Sequence, residues 1–194
     1  MNYSQRELKD LVVAWLALGL AFGLLLSPIS ATNLDIVVSA EFAFLFAVSL
    51  VTAGVGFLGH ELAHKAVAVH FGQHAEFRAD YGMLLLAIAG GLAGFLFAAP
   101  GAVHHAGRIT PRQRGLVALA GPVSNLAMAA VFWALTPLSA IAEYGVLINV
   151  LLAGFNMLPF GPLDGNTVRK WSLGAYLAVA VPSILLALRL LGFL

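Results

Sequence analysis

The sequence predicts an all-α polytopic membrane protein with five to six transmembrane helices, a re-entrant segment and a small membrane-associated β element. Hydrophobic residues make up 61% of the 194 positions and charged residues only 10%, against about 45–50% and about 25% in an average soluble domain. A soluble globule of this size could not bury so much apolar surface. The apolar residues also form continuous runs without strand-like alternation, so lipid-exposed spans are expected to be helices.

Six apolar runs follow one another along the chain, separated by short polar stretches. They cover residues 8–26, 42–71, 83–99, 116–135, 144–158 and 171–194. The longer runs match the length of about 20 residues that a transmembrane helix needs. Because no internal repeat, linker or appended soluble domain is evident, the sequence predicts a single integral membrane domain over residues 1–194, with a core at about 42–170.

The first apolar run is predicted to be an uncleaved helix. A signal peptide is the alternative, because Arg6 and Lys9 precede the run and small residues follow it near Ser30 and Ala31. The apolar stretch is longer than the roughly 7–15 residues that are usual in such signals. Its length therefore favours retention of the helix.

The distribution of lysine and arginine predicts the topology, because cytoplasmic loops carry more of these residues. Arg6 and Lys9 place the N-terminus in the cytoplasm, and the loop over 28–40, which has no basic residue, lies outside. If the run 83–99 crossed the bilayer, five later basic residues would lie outside, whereas a run that turns back leaves them in the cytoplasm. These five are Arg108, Arg112, Arg114, Arg169 and Lys170. The rule therefore predicts five crossings and one re-entrant segment at 83–99.

A strict alternation of apolar and polar residues over 75–81 predicts a β-strand, and 102–110 is a weaker candidate for its partner. A polar loop is the alternative for so short a stretch. A strand at a sheet edge could receive an extended peptide by strand addition. We therefore consider 75–81 as such an edge.

Charge and cysteine content exclude several classes of function. The formal net charge is +1, and the basic residues do not cluster as they would on a nucleic-acid-binding face. The chain has no cysteine, which excludes a disulfide framework, a thiol nucleophile and thiolate metal sites.

The sequence His-Glu-Leu-Ala-His at 60–64 lies inside an apolar run. The i, i+4 spacing places His60 and His64 one turn apart on one helix face, where they can share a metal ion, and Glu61 can reach a water molecule on that ion. Two imidazoles, a further carboxylate and an open position describe a catalytic zinc site. Ionisable residues in an apolar helix cost about 2.5–3.5 kcal/mol each on insertion scales, so a chance match is a poor explanation. Lys65 is expected to extend to the membrane interface.

A third metal ligand is needed to complete such a site. The candidates are the remaining histidines, Glu76, Asp80 and Asp164. Depth in the membrane favours Asp164, because His60 follows Glu41 by 19 residues and Asp164 follows Glu143 by 21. At about 1.5 Å per residue, both would lie about 28–32 Å from the outer interface. An ordinary aspartate at a helix end is the alternative for Asp164.

Three motifs, in this order, give the chain its resemblance to a known family. They are His-Glu-Leu-Ala-His at 60–64, Ala-Gly-Pro-Val-Ser-Asn at 120–125, and Asn-x-x-Pro-x-x-x-Leu-Asp-Gly at 156–165. With these motifs the chain resembles the site-2 proteases, which are intramembrane zinc metalloproteases. It is most similar to the compact prokaryotic type, because the sequence includes neither a PDZ-like nor a nucleotide-sensing domain.

The resemblance implies an intramembrane zinc metalloendopeptidase. His60, His64 and Asp164 would bind one Zn²⁺ ion, and Glu61 would be the catalytic general base. The enzyme would hydrolyse a peptide bond within or near a transmembrane helix of another protein, so its expected partners are a transmembrane protein substrate and the lipid bilayer. We expect a multi-pass protein of a prokaryotic cell membrane, with its active site towards the cytoplasmic side.

Two asparagines also match the family's motifs. The resemblance implies that Asn156 holds the substrate backbone or the developing oxyanion, and that Asn125 has a structural or substrate-contact role. An interhelical hydrogen bond, which is common in membrane bundles, is the alternative for both residues.

Two other functions are compatible with the same residues. An inactive pseudoprotease would bind membrane clients without cutting them. A divalent metal transporter would need a polar path on both sides of the metal. The segments 42–59 and 145–155 contain no charged residue, which argues against a transporter.

Overall fold

The computed structural model describes residues 1–28, 34–95 and 100–194, and these residues are mostly helical. The helices are α1 (Gln5–Leu26), α2 (Ala40–Ser49), α3 (Val55–His70), α4 (Tyr81–Leu92), α5 (Pro111–Leu135), α6 (Ile141–Asn156), α7 (Asp164–Trp171) and α8 (Leu173–Leu190). A 3-10 turn at Leu34–Val38 precedes α2, and a π-helical turn at Leu50–Gly54 joins α2 to α3. The helical fold class predicted from the sequence is confirmed.

Two strands, β1 (His74–Ala79) and β2 (Gly101–Ala106), pair in a small sheet. β1 covers most of the strand predicted at 75–81, and β2 overlaps the start of the weaker candidate at 102–110. Just beyond the strands, the Asp80 backbone N–H donates to the Pro100 carbonyl at 3.0 Å. The predicted β element is therefore confirmed.

Among the described residues, four helical segments are long and apolar enough to cross a membrane: α1, the continuous 31-residue segment Ala40–His70, α5 and α8. The crossing predicted at 144–158 corresponds to α6, whose 16 residues extend about 24 Å, less than a roughly 30 Å hydrocarbon core. The predicted re-entrant run 83–99 begins in α4, a helix of 12 residues. Residues 96–99 and the alternative cleavage region at 30–31 lie outside the described residues. The number of crossings and the re-entrant path stay predictions.

The described chain divides into two compact units. The α1 unit comprises Asn2–Leu58 and Glu76–His104, and the α5 unit comprises Met1, Gly59–Ala75 and His105–Leu194. The motifs at 60–64, 120–125 and 156–165 all belong to the α5 unit.

Small residues allow close helix packing in the α1 unit. Gly91 of α4 lies so near α1 that a Cβ atom there would overlap the carbonyl oxygen of Ala21. Gly54, at the end of the π-helical turn, leaves room for the indole of Trp15, whose Nε1–H donates to the Leu50 carbonyl at 3.0 Å. Interfaces of this kind rely on small residues because no side chain then separates the helix backbones.

Two acidic side chains of α1 are buried against β1. Glu7 Oε1 accepts from the Phe77 backbone N–H at 3.0 Å, and Asp10 Oδ2 accepts from the Ala79 N–H at 3.4 Å. Alternate residues of a strand direct their N–H groups to the same edge, so these carboxylates occupy the edge of β1 that faces away from β2. Two of the N–H groups that this edge would offer to an incoming peptide, those of Phe77 and Ala79, are therefore already bonded within the protein, and strand addition at β1 stays a prediction.

The α5 unit places α7 against the first half of α5. Helix α5 begins with a capping box, in which the Thr110 hydroxyl accepts from the Gln113 N–H and the Gln113 side chain accepts from the Thr110 N–H. Further along, Gly115 lets the indole of Trp171 pack directly on the helix, where a Cβ atom would overlap the ring. Because α7 begins at Asp164, this packing helps to position that carboxylate.

Candidate metal centre

The two histidines of the His-Glu-Leu-Ala-His motif meet through their Nε2 atoms. His60 and His64 lie one turn apart on α3, and their Nε2 atoms are 2.9 Å apart. Their rings are nearly perpendicular, at 85°, with centroids 4.6 Å apart. Both side chains are buried. The i, i+4 spacing therefore directs both imidazoles to one point inside the α5 unit.

The carboxylate of Asp164 reaches the same point from α7. Its Oδ2 atom lies 3.2 Å from Nε2 of His60 and 3.3 Å from Nε2 of His64. One ligand atom from each of the three residues lies within 4.8 Å of the other two. The structure thus brings together residues from the first and third motifs, about 100 positions apart in the sequence.

The loop before α7 is held so that Asp164 can turn inward. The residue after Asp164 is Gly165, where a Cβ atom would overlap the carbonyl group of Met157. On the other side of the loop, the Asn166 side chain donates to the Gly161 carbonyl at 2.9 Å. Glycine at 165 is therefore required for this close approach of α7 to the end of α6.

The charge state of Asp164 suits a metal ligand. Burial alone would raise the pKa of its carboxyl group, but in the absence of a metal ion the positive charge of a doubly protonated His64 imidazole and hydrogen bonds from His60 and His64 lower that pKa to about 2. The site therefore favours the carboxylate, which is the form that binds a metal ion.

Each imidazole is oriented through its other nitrogen. His64 Nδ1 lies 2.7 Å from the Val117 carbonyl oxygen, and His60 Nδ1 lies 2.6 Å from Oδ1 of Asn125. Both partners are acceptors, so each Nδ1 carries the proton and donates it. The Nε2 lone pairs are then free for a metal ion, as is usual for metal-binding histidines.

The space around the three ligand atoms fits a metal ion. Gly121 of α5 faces the site, and a Cβ atom there would lie 2.5 Å from Nε2 of both His60 and His64. Only glycine leaves that position open. Two imidazoles and one carboxylate match the protein ligands of catalytic zinc sites, in which a fourth position is taken by water or substrate.

Comparison with curated proteins shows the family. "Putative zinc metalloprotease MJ0611" of Methanocaldococcus jannaschii is 40% identical over 192 residues, and the alignment covers 94% of this chain and 93% of that protein. The chain belongs to the site-2 protease family. The zinc metalloprotease names of its relatives and the cluster of His60, His64 and Asp164 support Zn²⁺ as the cofactor of this site-2 protease, and its apolar helices support a membrane protein.

Two further relatives carry similar names over shorter alignments. "Putative zinc metalloprotease YwhC" of Bacillus subtilis is 32% identical over 61% of this chain and 66% of its own length. "Putative zinc metalloprotease Rip3" of Mycobacterium tuberculosis is 34% identical over 56% of this chain and 26% of its own length. No family model and no solved structure matches the chain.

The other matched residues of this site-2 protease lie on the helices that carry the cluster. Glu61 is buried and follows His60 directly on α3. Asn125 on α5 is fully buried, and its contact with His60 agrees with the interhelical hydrogen bond considered from the sequence. Asn156 is the last residue of α6, is partly buried, and donates from Nδ2 to the Leu152 carbonyl at 2.9 Å.

Sequence reasoning missed one buried amide and misplaced one lysine. Asn149 on α6 is fully buried, and its Oδ1 accepts from Nδ2 of Asn125 at 3.0 Å. Its only signal in the sequence is an amide within an apolar run. Lys65 was expected to reach the membrane interface, but its side chain is only 1% exposed. The prediction for Lys65 is wrong, because the side chain packs inside the protein instead of extending along its surface.

Proposed function

We propose that this chain is an intramembrane zinc metalloendopeptidase, which hydrolyses a peptide bond within or near a transmembrane helix of a membrane protein. One observation carries the proposal: Nε2 of His60, Nε2 of His64 and Oδ2 of Asp164 converge inside a unit that contains two apolar helices of membrane-spanning length, α5 and α8. A soluble peptidase would not need such helices. A membrane transporter would not need the carboxylate of Glu61 beside the metal ligands.

His60, His64 and Asp164 are the metal ligands in this proposal, and Glu61 is the general base. A bound Zn²⁺ ion would polarise the scissile carbonyl and lower the pKa of the attacking water. The carboxylate of Glu61 would accept a proton from the attacking water and, once protonated, would donate it to the leaving amide nitrogen. Glu61 directly follows the proposed metal ligand His60 on α3.

The two asparagines have different parts in the proposal. Asn156, partly buried at the end of α6, holds the substrate backbone or the oxyanion, for which an amide N–H is a suitable donor. Asn125 is completely buried and bonded to His60, which favours a structural role over substrate contact.

Basic residues support the proposed orientation in a prokaryotic cell membrane. Arg112 and Arg114 lie in the first turns of α5, and Arg169 and Lys170 lie in the last turn of α7, the helix that begins with Asp164. Cytoplasmic ends of membrane helices are enriched in such residues. We therefore place the active site towards the cytoplasm, with the bilayer and a transmembrane protein substrate as partners of a multi-pass enzyme.

The test is cleavage of a panel of single-span membrane proteins by the detergent-purified chain, with Glu61→Gln as the paired variant and zinc measured in both. Because the substitution removes the base but no metal ligand, we expect only the unmodified chain to cut, while both proteins hold zinc. General-base catalysis contributes about 10²–10⁴-fold, so the loss should be at least 100-fold. Equal cleavage by both proteins would contradict the role of Glu61. Client capture without cleavage by the zinc-loaded chain would instead support a pseudoprotease.

A further inference from the structure

A line of hydrogen bonds leads from His60 on α3, one of the proposed metal ligands, through α5 to α6. His60 Nδ1–H donates to Asn125 Oδ1 at 2.6 Å, and Asn125 Nδ2 donates to Asn149 Oδ1 at 3.0 Å. Asn149 Nδ2 donates in turn to the Gly145 carbonyl at 2.9 Å. Both asparagine side chains are 0% exposed. Three helices are thus joined by polar groups that water does not reach.

The direction of this line is fixed at its far end. The Gly145 carbonyl oxygen can only accept, so Asn149 must present its NH₂ group to Gly145 and its oxygen to Asn125. Asn125 must then present its own NH₂ group to Asn149 and its oxygen to His60. An oxygen at that position accepts only from a protonated Nδ1. The backbone of α6 therefore determines which nitrogen of His60 carries the proton.

We propose that Asn149 is a positioning residue, which acts through Asn125 to hold His60 in the tautomer that leaves Nε2 free for the metal. The proposal rests on the proposed function, because it assumes that His60 is a metal ligand. His64 reaches the same state more directly, because its Nδ1 faces the Val117 carbonyl. A backbone carbonyl thus sets both tautomers, one by direct contact and the other through two amides.

Asn149 has no other evident reason to be an amide. It lies within the apolar helix α6, where burial of an amide without hydrogen bonds would cost several kcal/mol. A leucine of similar size would keep the volume and remove both the donor and the acceptor. Without the oxygen of residue 149, Asn125 loses the acceptor of its Nδ2 group, so this hydrogen bond no longer favours the amide orientation that presents Oδ1 to Nδ1 of His60.

The experiment measures zinc affinity by competition with a chelator, using the full-length chain in detergent. We expect Asn149→Leu to weaken zinc binding about 10–100-fold, the usual range for residues that orient metal ligands. Asn149→Asp should lose less than Asn149→Leu, because a protonated aspartic acid keeps an oxygen that accepts from Asn125 and an O–H group that donates to the Gly145 carbonyl. The matched control is Ser183→Ala, which removes another fully buried polar side chain of the α5 unit that bonds to a carbonyl four residues earlier, Val179.

A second readout separates positioning from general destabilisation. Because Asn149 acts through Asn125, the double variant Asn125→Leu with Asn149→Leu should lose no more zinc affinity than Asn125→Leu alone. Additive losses would overturn the proposal, as would an equal loss in Ser183→Ala. Nitrogen NMR of the unmodified, histidine-labelled chain gives a check that needs no variant: His60 should be protonated at Nδ1, and protonation only at Nε2 would overturn the proposal.

The outcomes distinguish this proposal from the proposed function. If the unmodified chain binds zinc and cuts substrates while Asn149→Leu binds zinc equally well, only the role of Asn149 fails. If the unmodified chain itself binds no zinc, the proposed function fails first.

Discussion

The α5 unit and the α1 unit each bury polar side chains in apolar helices, but the polar atoms face different partners. In the α1 unit, the carboxylates of Glu7 and Asp10 accept hydrogen bonds from backbone N–H groups of β1. In the α5 unit, the Nε2 atoms of His60 and His64 face each other and the carboxylate of Asp164. The carboxylates of the α1 unit are therefore bonded to donors of the protein itself, whereas the two histidines and Asp164 of the α5 unit direct three ligand atoms at a shared point.

The difference separates a structural cluster from a ligand site. A buried carboxylate is tolerated when N–H groups bond to it, and such a contact fixes the position of a strand. Lone pairs that converge on one point are stabilised by a cation that binds there. Burial of charged residues in an apolar helix thus indicates that these residues have a role in the protein. The partners of their polar atoms then indicate whether that role is structural or is the binding of a ligand.

The largest expected effect comes from closing the α5 site. Gly121→Ala places a methyl group 2.5 Å from Nε2 of both His60 and His64, so we expect zinc affinity to fall by more than about 100-fold, beyond the usual effect of a residue that only orients a ligand. Chelator competition on the purified chain measures this. Gly59→Ala is the control, because its Cβ would meet only the flexible end of Met128, at 2.8 Å. Unchanged zinc affinity in Gly121→Ala would contradict the view that the cluster of the α5 unit is a metal site.

A smaller effect is expected in the α1 unit. Glu7→Leu removes the acceptor of the buried Phe77 N–H, which should lower the free energy of unfolding by about 1–3 kcal/mol. Glu7→Gln keeps an acceptor oxygen and should lose less. Denaturant unfolding measures the stability, and zinc affinity should stay unchanged in both variants. A loss of zinc binding as large as that of Gly121→Ala would show that the two clusters do not have separate roles.

The smallest expected effect concerns Tyr81, whose phenol hydroxyl group contacts the same Asp10 carboxylate that accepts from β1. The Tyr81 phenol donates to Asp10 Oδ1 at 2.8 Å, and this hydrogen bond, with burial and the Asp10 charge, raises the pKa of Tyr81 above its ordinary value. Asp10→Asn removes the negative charge beside the phenol. Because that charge disfavours the phenolate, its loss should lower the pKa of Tyr81. Ultraviolet titration measures it, with Tyr81→Phe to assign the signal. A titration that does not move would contradict this contact.

The sequence predicted much of the α5 cluster because regular geometry determines it. Helical periodicity places His60 and His64 on one face, and counting residues from the outer interface placed Asp164 at a similar depth. Both arguments use the constant rise of a helix and the thickness of a bilayer. The same arguments do not give the ends of a helix: α6 begins three residues before the apolar run 144–158 and ends two residues before the end of that run.

The contacts that sequence reasoning missed join segments far apart in the chain. Glu7 and Phe77 are 70 positions apart, and Asn125 and Asn149 are 24 apart on different helices. No spacing rule relates such residues. A single polar residue in an apolar run indicates that a partner exists, and only the fold identifies that partner.

The most direct test of the central claim is zinc content per chain after equilibration with a weak chelator. The samples are the unmodified chain, His60→Ala, Asp164→Ala and Asp80→Asn. Asp80 was a rival ligand candidate, and its Oδ1 accepts from the Met83 N–H, an acceptor that asparagine keeps. If His60, His64 and Asp164 hold the metal, the unmodified chain and Asp80→Asn should carry about one zinc each, and the other two variants should carry none. Full zinc content in Asp164→Ala would contradict this account of the site.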